Sequence, residues 1–280
     1  MKLIVTGRKA LGGVRMRGVA VAEKLGVPFI DLKDLETSGK HDTILLVKYW
    51  HSKHADYSAI IRRHCDRLVY DPLDVFSSTK PKADAIIFWN WVFGKVRPDE
   101  MIATSPACAE TMRATADETP IHMLPHHADP RIGPDWHNPN GPIVYAGGVR
   151  FIKSALRDID HACTRLGKRL SLDYSRDCWQ RLQGASLCLH LRLPPEDTEL
   201  NRYCKPQVKL ENAAAAGLPC LVTPDPCVTS LGKKTITLFD VEPTPKEWMD
   251  AIEYAARRKP VSNPVTLDDH VNTLSEVLGV

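Results

Sequence analysis

The sequence predicts an α/β protein made of two doubly wound parallel sheets. Three observations carry that prediction. Short apolar runs alternate with amphipathic stretches along most of the 280 residues, the pattern of parallel strands joined by helices on both faces. The alternation breaks once, over residues 125–142, where five prolines and two glycines in eighteen positions exclude a long element. In each half, a strand-like run passes into glycines and then into basic residues. That is where open α/β sheets bind ligands, at the carboxyl ends of their strands.

In chain order, residues 2–6 form a strand that ends at Gly7. Residues 14–25 carry Met16, Val19, Val21, Ala22 and Leu25 on roughly one helical face, and Gly26 stops that helix. Strands are predicted over 28–31, 43–49, 67–70, 85–89, 101–104 and 121–124, with helices over 57–64 and 105–113. The second half repeats the alternation. Strands fall at 143–146, 169–172, 186–193, 219–223 and 235–239, and helices at 153–166, 177–183, 207–216 and 245–258. A last helical piece covers 262–278. The predicted organisation is a first domain over 1–125, a linker over 126–142 and a second domain over 143–280, whose last helix can pack back on the first. Two such domains joined by a linker imply a cleft.

Composition narrows the function classes. Apolar residues make up 43% and charged residues 25%, ordinary globular usage that excludes a disordered or collagen-like chain. The net charge of +3 is too small to imply a nucleic-acid partner by itself. The apolar run after Met1-Lys2 is three residues long, far short of the roughly 7–15 of a signal peptide. No run approaches the ~20 apolar residues of a membrane span, so no stable membrane insertion is expected. The closest pair among the eight cysteines is seven positions apart, which excludes a C-x2-C metal or redox motif. The expectation is a cytoplasmic protein with reduced, mostly buried thiols.

Four segments carry chemistry. Gly7 to Gly18 holds Gly12 and Gly13 among Arg8, Lys9, Arg15 and Arg17, between a strand and a helix start. Glycines let the backbone approach a ligand, and amides at a helix start favour anions. Its glycine spacing departs from G-x-G-x-x-G, although Asp31 could supply the acid of a dinucleotide site. Tyr145 to Lys153 repeats the logic, with Gly147 and Gly148 before Arg150 and Lys153, three apart and able to face one anion. Lys205 to Thr223 is the sharpest segment. There Pro206 suits a first helical turn, Lys209 opposes the helix dipole unless an anion binds, and Glu211 can accept from a sugar or ribose hydroxyl. The fourth, His126-His127-Ala128-Asp129, resembles a metal cluster only superficially, because adjacent residues rarely ligate one ion; no metal site is predicted.

Together these segments resemble the GT-B glycosyltransferases and are similar to glycosyltransferase family 4. Lys205 to Thr223 resembles the signature K-P-x-x-K-L-x-x-A-x-A-x-G-x-P-x-x-x-T, and Pro125 to Pro130 resembles the segment P-[NH]-x-x-D-P that opens the linker. Tyr145 to Lys153, Ser105 to Arg113 and Leu68 to Asp74 resemble further family segments. The resemblance implies two Rossmann-like domains facing a cleft, an acceptor-side domain first and a donor domain second. It implies metal-independent transfer of a sugar from a nucleotide-sugar donor, which is the co-substrate, with no further cofactor. Arg150, Lys153 and Lys209 would stabilise the diphosphate leaving group, Glu211 would hold the ribose, and Gly12, Gly13, Gly147, Gly148 and Lys205 would line the donor. A base, for an inverting reaction, would be His51, His54 or Asp71. Tyr203 stands where the family motif E-x7-E has its first glutamate, which favours an alternative: a catalytically degenerate module that binds a nucleotide or sugar.

The acceptor is read as a glycan, a lipid-linked sugar or a hydroxymethylated DNA base. Residues 1–125 hold 18 Lys and Arg against 15 Asp and Glu, aromatics flank basic groups at Tyr49 to His54, and Phe88 to Phe93 adds further aromatics. Aromatics beside cations serve sugars and bases alike. A dehydrogenase and a sugar-nucleotide epimerase are competing readings of the same fold class.

Overall fold

A computed structural model describes residues 2–9, 11–49, 57–73, 84–115, 118–173, 177–193, 199–232, 237–238, 243–260 and 263–280. The chain divides into two compact units. The first comprises residues 1–126, 199–206 and 267–280; the second comprises 127–198 and 207–266.

The first unit begins with β1 (Leu3–Gly7), α1 (Gly12–Val14), a π-helical segment Arg15–Ala20 and α2 (Val21–Leu25). It continues through β2 (Phe29–Asp31), β3 (His41–Val47), α3 (Ser58–Arg63), β4 (Cys65–Asp71) and α4 (Asp84–Trp91). Then come β5 (Glu100–Ala103), α5 (Pro106–Arg113) and β6 (Ile121–Met123). Two later helices join it, α7 (Glu199–Cys204) and α11 (Leu267–Leu278). The sheet order is β2-β1-β3-β4-β5-β6, and every pairing is parallel.

Successive strand residues face opposite sides, and both sides are covered, so β3 reads as one continuous apolar run. Ile44 and Leu46 join Leu68, Tyr70, Trp89, Cys108 and Met112 in one core. Leu45 and Val47 join Leu3, Val5, Val69, Val271 and Leu274 in the other. Ser105 starts α5 by accepting from Cys108 N at 3.1 Å, an ordinary N-cap.

The second unit runs β7 (Ile143–Tyr145), a 3-10 turn Val149–Ile152, α6 (Leu156–Arg165), β8 (Leu170–Leu172) and a 3-10 turn Cys178–Leu182. It continues with β9 (Leu187–His190), α8 (Val208–Ala215), β10 (Cys220–Val222), α9 (Pro226–Thr229), β11 (Thr237–Leu238) and α10 (Pro245–Ala256). The sheet order is β8-β7-β9-β10-β11, again all parallel. Both sheets therefore share one plan: the second strand lies outside the first and the third lies on its other side. This puts a topological switch point between β1 and β3 in one unit and between β7 and β9 in the other.

One expectation needs correction. Residues 85–89 are not a strand but lie in α4, because a short apolar run does not distinguish a strand from a helix buried in the core. Phe88, Trp89 and the following Val92 and Val96 all pack into the first core. The division of the chain is not linear. Residues 127–142 belong to the second unit, whereas 199–206 belong to the first. The reason is packing: Cys204 is fully buried in the first core, Tyr203 packs against it, and the Cys204 thiol meets the Thr111 hydroxyl of α5 at 3.2 Å.

Seven of the eight cysteines are buried and Cys178 is half-buried. Burial pushes the Cys163 thiol up to about 12 and the Cys65 thiol up to about 11, so neither is a thiolate nucleophile near neutral pH. Among the described residues no helix is long and apolar enough to cross a membrane.

Candidate functional site

In the second unit, five of the ten expected residues fall at or after the carboxyl end of β7. Tyr145, the last residue of that strand, is fully buried. Lys209 lies in the first turn of α8, and its ammonium sits 4.9 Å from the centroid of the Tyr145 ring. This cation–π contact holds a lysine where the positive end of the helix dipole would repel it. Gly147 leaves room for the approach. A Cβ there would lie 2.5 Å from Lys209 Nζ and 2.8 Å from Tyr145 Cζ. Gly148 is the N-cap of the 3-10 turn that carries Arg150, and Lys153 follows it. Both side chains are exposed, and the Arg150 guanidinium lies 4.6 Å from the Phe151 ring centroid. Gly147, Gly148, Arg150 and Lys153 thus follow the end of β7 in the chain, and Lys209 packs onto that strand end.

Glu211 has a different setting. It is buried, and its Oε2 accepts from Val265 N at 2.9 Å. Val265 O accepts from Ala128 N at 2.9 Å, and Asn212 Oδ1 accepts from Asp129 N at 2.8 Å. Two successive residues of α8 therefore anchor the chain at 128–129 and at 265. The structure shows Glu211 as an anchor of the backbone.

The neighbouring switch-point strand carries residues that sequence reasoning missed. Arg192, just after β9, is 4% exposed, and its Nη1 lies 3.5 Å from Asp225 Oδ2. Arg192 N also donates to Thr223 Oγ1 at 3.1 Å. Asp225 is the N-cap of α9, accepting from Val228 N. The signal was present: a lone arginine in the apolar run Leu-Cys-Leu-His-Leu-Arg-Leu at 187–193 needs a buried partner.

The segment after β8 flanks the site on its other side. Asp173 N donates to Tyr145 O at 3.2 Å, at the end of β7. Burial raises the Cys178 thiol first, Asp173 adds to it, and the Lys209 charge works the other way. Asp129 is clamped by Arg131, Nε to Oδ1 at 2.9 Å and Nη2 to Oδ2 at 2.6 Å. In the histidine–aspartate run at 126–129, Asp129 thus binds a guanidinium. Among the described residues no group of three His, Cys, Asp or Glu side chains is placed to hold a metal.

In the first unit, Gly12 is exposed, and a Cβ on Gly13 would lie 3.6 Å from Lys48 Nζ. Lys48 follows β3 at φ +51°, a residue the sequence reading passed over. Arg8, Lys9 and Arg15 are exposed. Arg17 is not part of that cationic face. It is fully buried, with Nε donating to Asp71 Oδ2 at 2.7 Å and Nη1 donating to the Leu124 and Pro125 carbonyls. Asp71, a candidate base, is thereby the buried counter-ion of Arg17, which argues against a role in proton abstraction. Asp31 accepts from Lys9 N and Lys33 N. Lys205 belongs to the first unit, whereas Lys209 belongs to the second. His51 and His54 lie outside the described residues.

No protein-family model and no curated protein sequence matches the chain. Solved structures do resemble it. HepE from Anabaena, in complex with UDP, is 13% identical with a TM-score of 0.55 over 100% of both chains. UDP-GlcNAc 2-epimerase from Methanocaldococcus jannaschii, in complex with UDP-GlcNAc and UDP, is 10% identical with a TM-score of 0.55 over 100% of this chain and 99% of that one. A mutant form of TarM from S. aureus, in complex with fondaparinux, alpha-GlcNAc-glycerol and UDP, is 9% identical with a TM-score of 0.53, over 88% of this chain and 55% of that one. The likeness is one of fold, and with the two switch-point sheets it shows that the chain has the α/β architecture of GT-B proteins, two Rossmann-like units.

Proposed function

We propose that the protein is a glycosyltransferase that moves a sugar from a nucleotide-sugar donor to an acceptor hydroxyl, with the donor diphosphate held by the second unit. One observation carries the reading: the Lys209 ammonium, seated on the Tyr145 ring over Gly147, beside a switch point and at the strand end that Arg150 and Lys153 follow in the chain. Lys209, with Arg150 and Lys153 swung toward it on ligand binding, would match two phosphates. As the glycosidic bond breaks, charge builds on the leaving diphosphate, and fixed cations stabilise that charge more than they stabilise the bound ground state. The structures of HepE, the epimerase and TarM all hold UDP, which supports a nucleoside diphosphate as the ligand class. Gly12, Gly13 and Lys205, with His51 as base, are the further residues proposed for donor and acceptor, while Glu211 holds the backbone at Val265 rather than a ligand. The acceptor is a glycan, a lipid-linked sugar or a hydroxymethylated DNA base. In the DNA case binding falls steeply with salt, and in the others it does not.

The second reading is a module of the same fold that binds a nucleotide or sugar without turning it over. Tyr203 favours it, because the position carries no carboxylate and its side chain packs against the first core. One assay separates the readings. Wild type and Lys209→Ala are incubated with UDP- and GDP-sugars, and thermal shift, nucleoside diphosphate release and the sugar product are followed. A ligand at 100 times its dissociation constant stabilises by about 2.7 kcal/mol. Stabilisation with slow release of the diphosphate, both lost in Lys209→Ala, supports transfer. Stabilisation without release supports the module, and an altered sugar still on its nucleotide supports an epimerase. No stabilisation by any nucleotide would overturn the donor site.

A further inference from the structure

Beside the cationic strand end, the second unit builds a stack that the phosphate chemistry leaves unused. Trp136 and Trp179 form an offset stack, with centroids 6.1 Å apart and planes at 25°. The Arg131 guanidinium covers Trp179, 4.5 Å from its centroid. Its edges are occupied: Nε and Nη2 meet both Asp129 oxygens, and Nη1 lies 4.0 Å from Asp177 Oδ1. With one face on Trp179, its edges held by carboxylates and its side chain still 52% exposed, Arg131 presents its outer plane. A guanidinium whose charge is balanced along its edges is a poor anion site but a good flat surface for a planar π ring.

The position of this plane follows from two ties. Asn212, three residues after Lys209 and so on the same face of α8, holds the backbone of Asp129, the residue that clamps Arg131. On the other side, Asp173 N donates to Tyr145 O at the end of β7, where Lys209 sits, and Asp173 Oδ2 accepts from Arg181 Nε at 3.0 Å, in the same 3-10 turn as Trp179. The stack and Lys209 are therefore neighbours within one unit. A sugar would stack on an open, neutral indole face, but the face of Trp179 toward Arg131 is taken. A nucleobase stacks on the guanidinium itself.

We propose that Arg131, supported by Trp179 and fixed by Asp129, is the stacking platform for the base of the nucleoside diphosphate, and that it sets affinity for the nucleoside part of the donor. The proposal rests on the donor reading above and assigns a different part of the ligand to different residues. Because guanidinium–base stacking asks only for a flat ring, the platform itself tolerates uracil, guanine and adenine.

Calorimetric titration tests this with UDP, GDP, ADP and inorganic pyrophosphate against wild type, Arg131→Lys, Trp179→Phe and Lys209→Ala, each checked for folding by circular dichroism. Arg131→Lys retains the charge toward Asp129 and loses the plane. The expected result is at least tenfold weaker binding of the best nucleoside diphosphate, with pyrophosphate within twofold of wild type. Lys209→Ala weakens both ligands. Trp179→Phe keeps a ring beneath Arg131, so it retains nucleotide binding while losing much of the tryptophan quenching that the nucleotide produces and pyrophosphate does not. If Arg131→Lys binds nucleoside diphosphates like wild type, or loses pyrophosphate to the same degree, the platform is wrong and the donor reading stands. If wild type binds pyrophosphate but no nucleoside diphosphate, or neither, both fall.

Discussion

Gly147 shows how one missing side chain sets the position of a charge. A Cβ at this position would press on Lys209 Nζ at 2.5 Å, a mobile group, and on Tyr145 at 2.8–2.9 Å, a buried ring. The ammonium moves away at little cost, while the ring shift costs about 1–3 kcal/mol as core overpacking does. Gly148 differs, because its Cβ would make contacts no closer than 3.5 Å. Gly147→Ala is therefore expected to weaken pyrophosphate binding about tenfold, a loss of the order of a cation–π contact. Gly148→Ala should leave both binding and melting temperature near wild type. Equal effects of the two substitutions on titration with pyrophosphate would remove Gly147 from the site.

Asp129 carries a pH dependence of known sign. Burial acts to raise its carboxyl, but the hydrogen bonds from the Arg131 side chain and backbone, with the Arg131 charge, outweigh it and hold the carboxyl below the usual range. A group lowered on folding contributes stability above its unfolded value of about 3.9, and that contribution disappears as pH falls through the folded value. Urea denaturation is expected to show Asp129→Asn less stable than wild type at pH 7. The gap should narrow below about pH 4, as first the unfolded wild-type chain and then the folded carboxyl take up the proton. A gap that is constant from pH 7 to pH 3 would mean that the ion pair contributes nothing to the second unit.

At the scale of elements, Arg17 decides how the π-helical segment Arg15–Ala20 meets the sheet. Its guanidinium binds Asp71 at the end of β4 and two carbonyls just beyond β6, so one side chain ties three chain segments. Removing one member of a buried pair costs about 3–5 kcal/mol, because the remaining charge stays desolvated. Asp71→Asn should lower the stability of the first unit by that order in a denaturant titration, whereas Asp268→Asn, from the exposed pair with Lys24, should change it by less than about 1 kcal/mol. A loss below about 1 kcal/mol for Asp71→Asn would show that solvent reaches Arg17. Arg17 also marks what could be read in advance. Strand alternation, the proline break, the two glycine loops and Lys209 were legible, since each is a local signal of apolar period, turn residue or helix start. Arg17 and Arg15 look alike in sequence, and only the fold buries one and exposes the other. Likewise Asp225 lies 33 positions from Arg192 and Trp179 lies 48 from Arg131, separations that no local pattern encodes. Residues 85–89 misled for the opposite reason: Ala-Ile-Ile-Phe-Trp has strand composition, yet tertiary burial makes it helical.

At the scale of the molecule, the two units are interleaved in sequence, and that has a thermodynamic consequence. The first unit is assembled from three separate stretches, and the last of them is α11. Val271, Leu274 and Leu278 fill the core beside Leu3, Val5 and Val21. Arg67 donates to the Val277 and Leu278 carbonyls at 2.7 and 3.0 Å, satisfying acceptors that a helix end leaves open. Each buried apolar side chain contributes about 1.5–3 kcal/mol, against a total of about 5–15 kcal/mol for a typical domain. Truncation after Thr266 thus removes a large part of the first unit's stability while leaving all of 127–198 and 207–266 in place. Hydrogen exchange on the truncated chain should show lost protection in β1, β3 and β4, with β7, β9 and β10 still protected. Pyrophosphate binding, assigned to Lys209, Arg150 and Lys153, should survive. Loss of protection in both units alike would show that they fold as one cooperative body. Full protection in β1 would show that α11 is dispensable, leaving the Arg67 contacts without energetic weight.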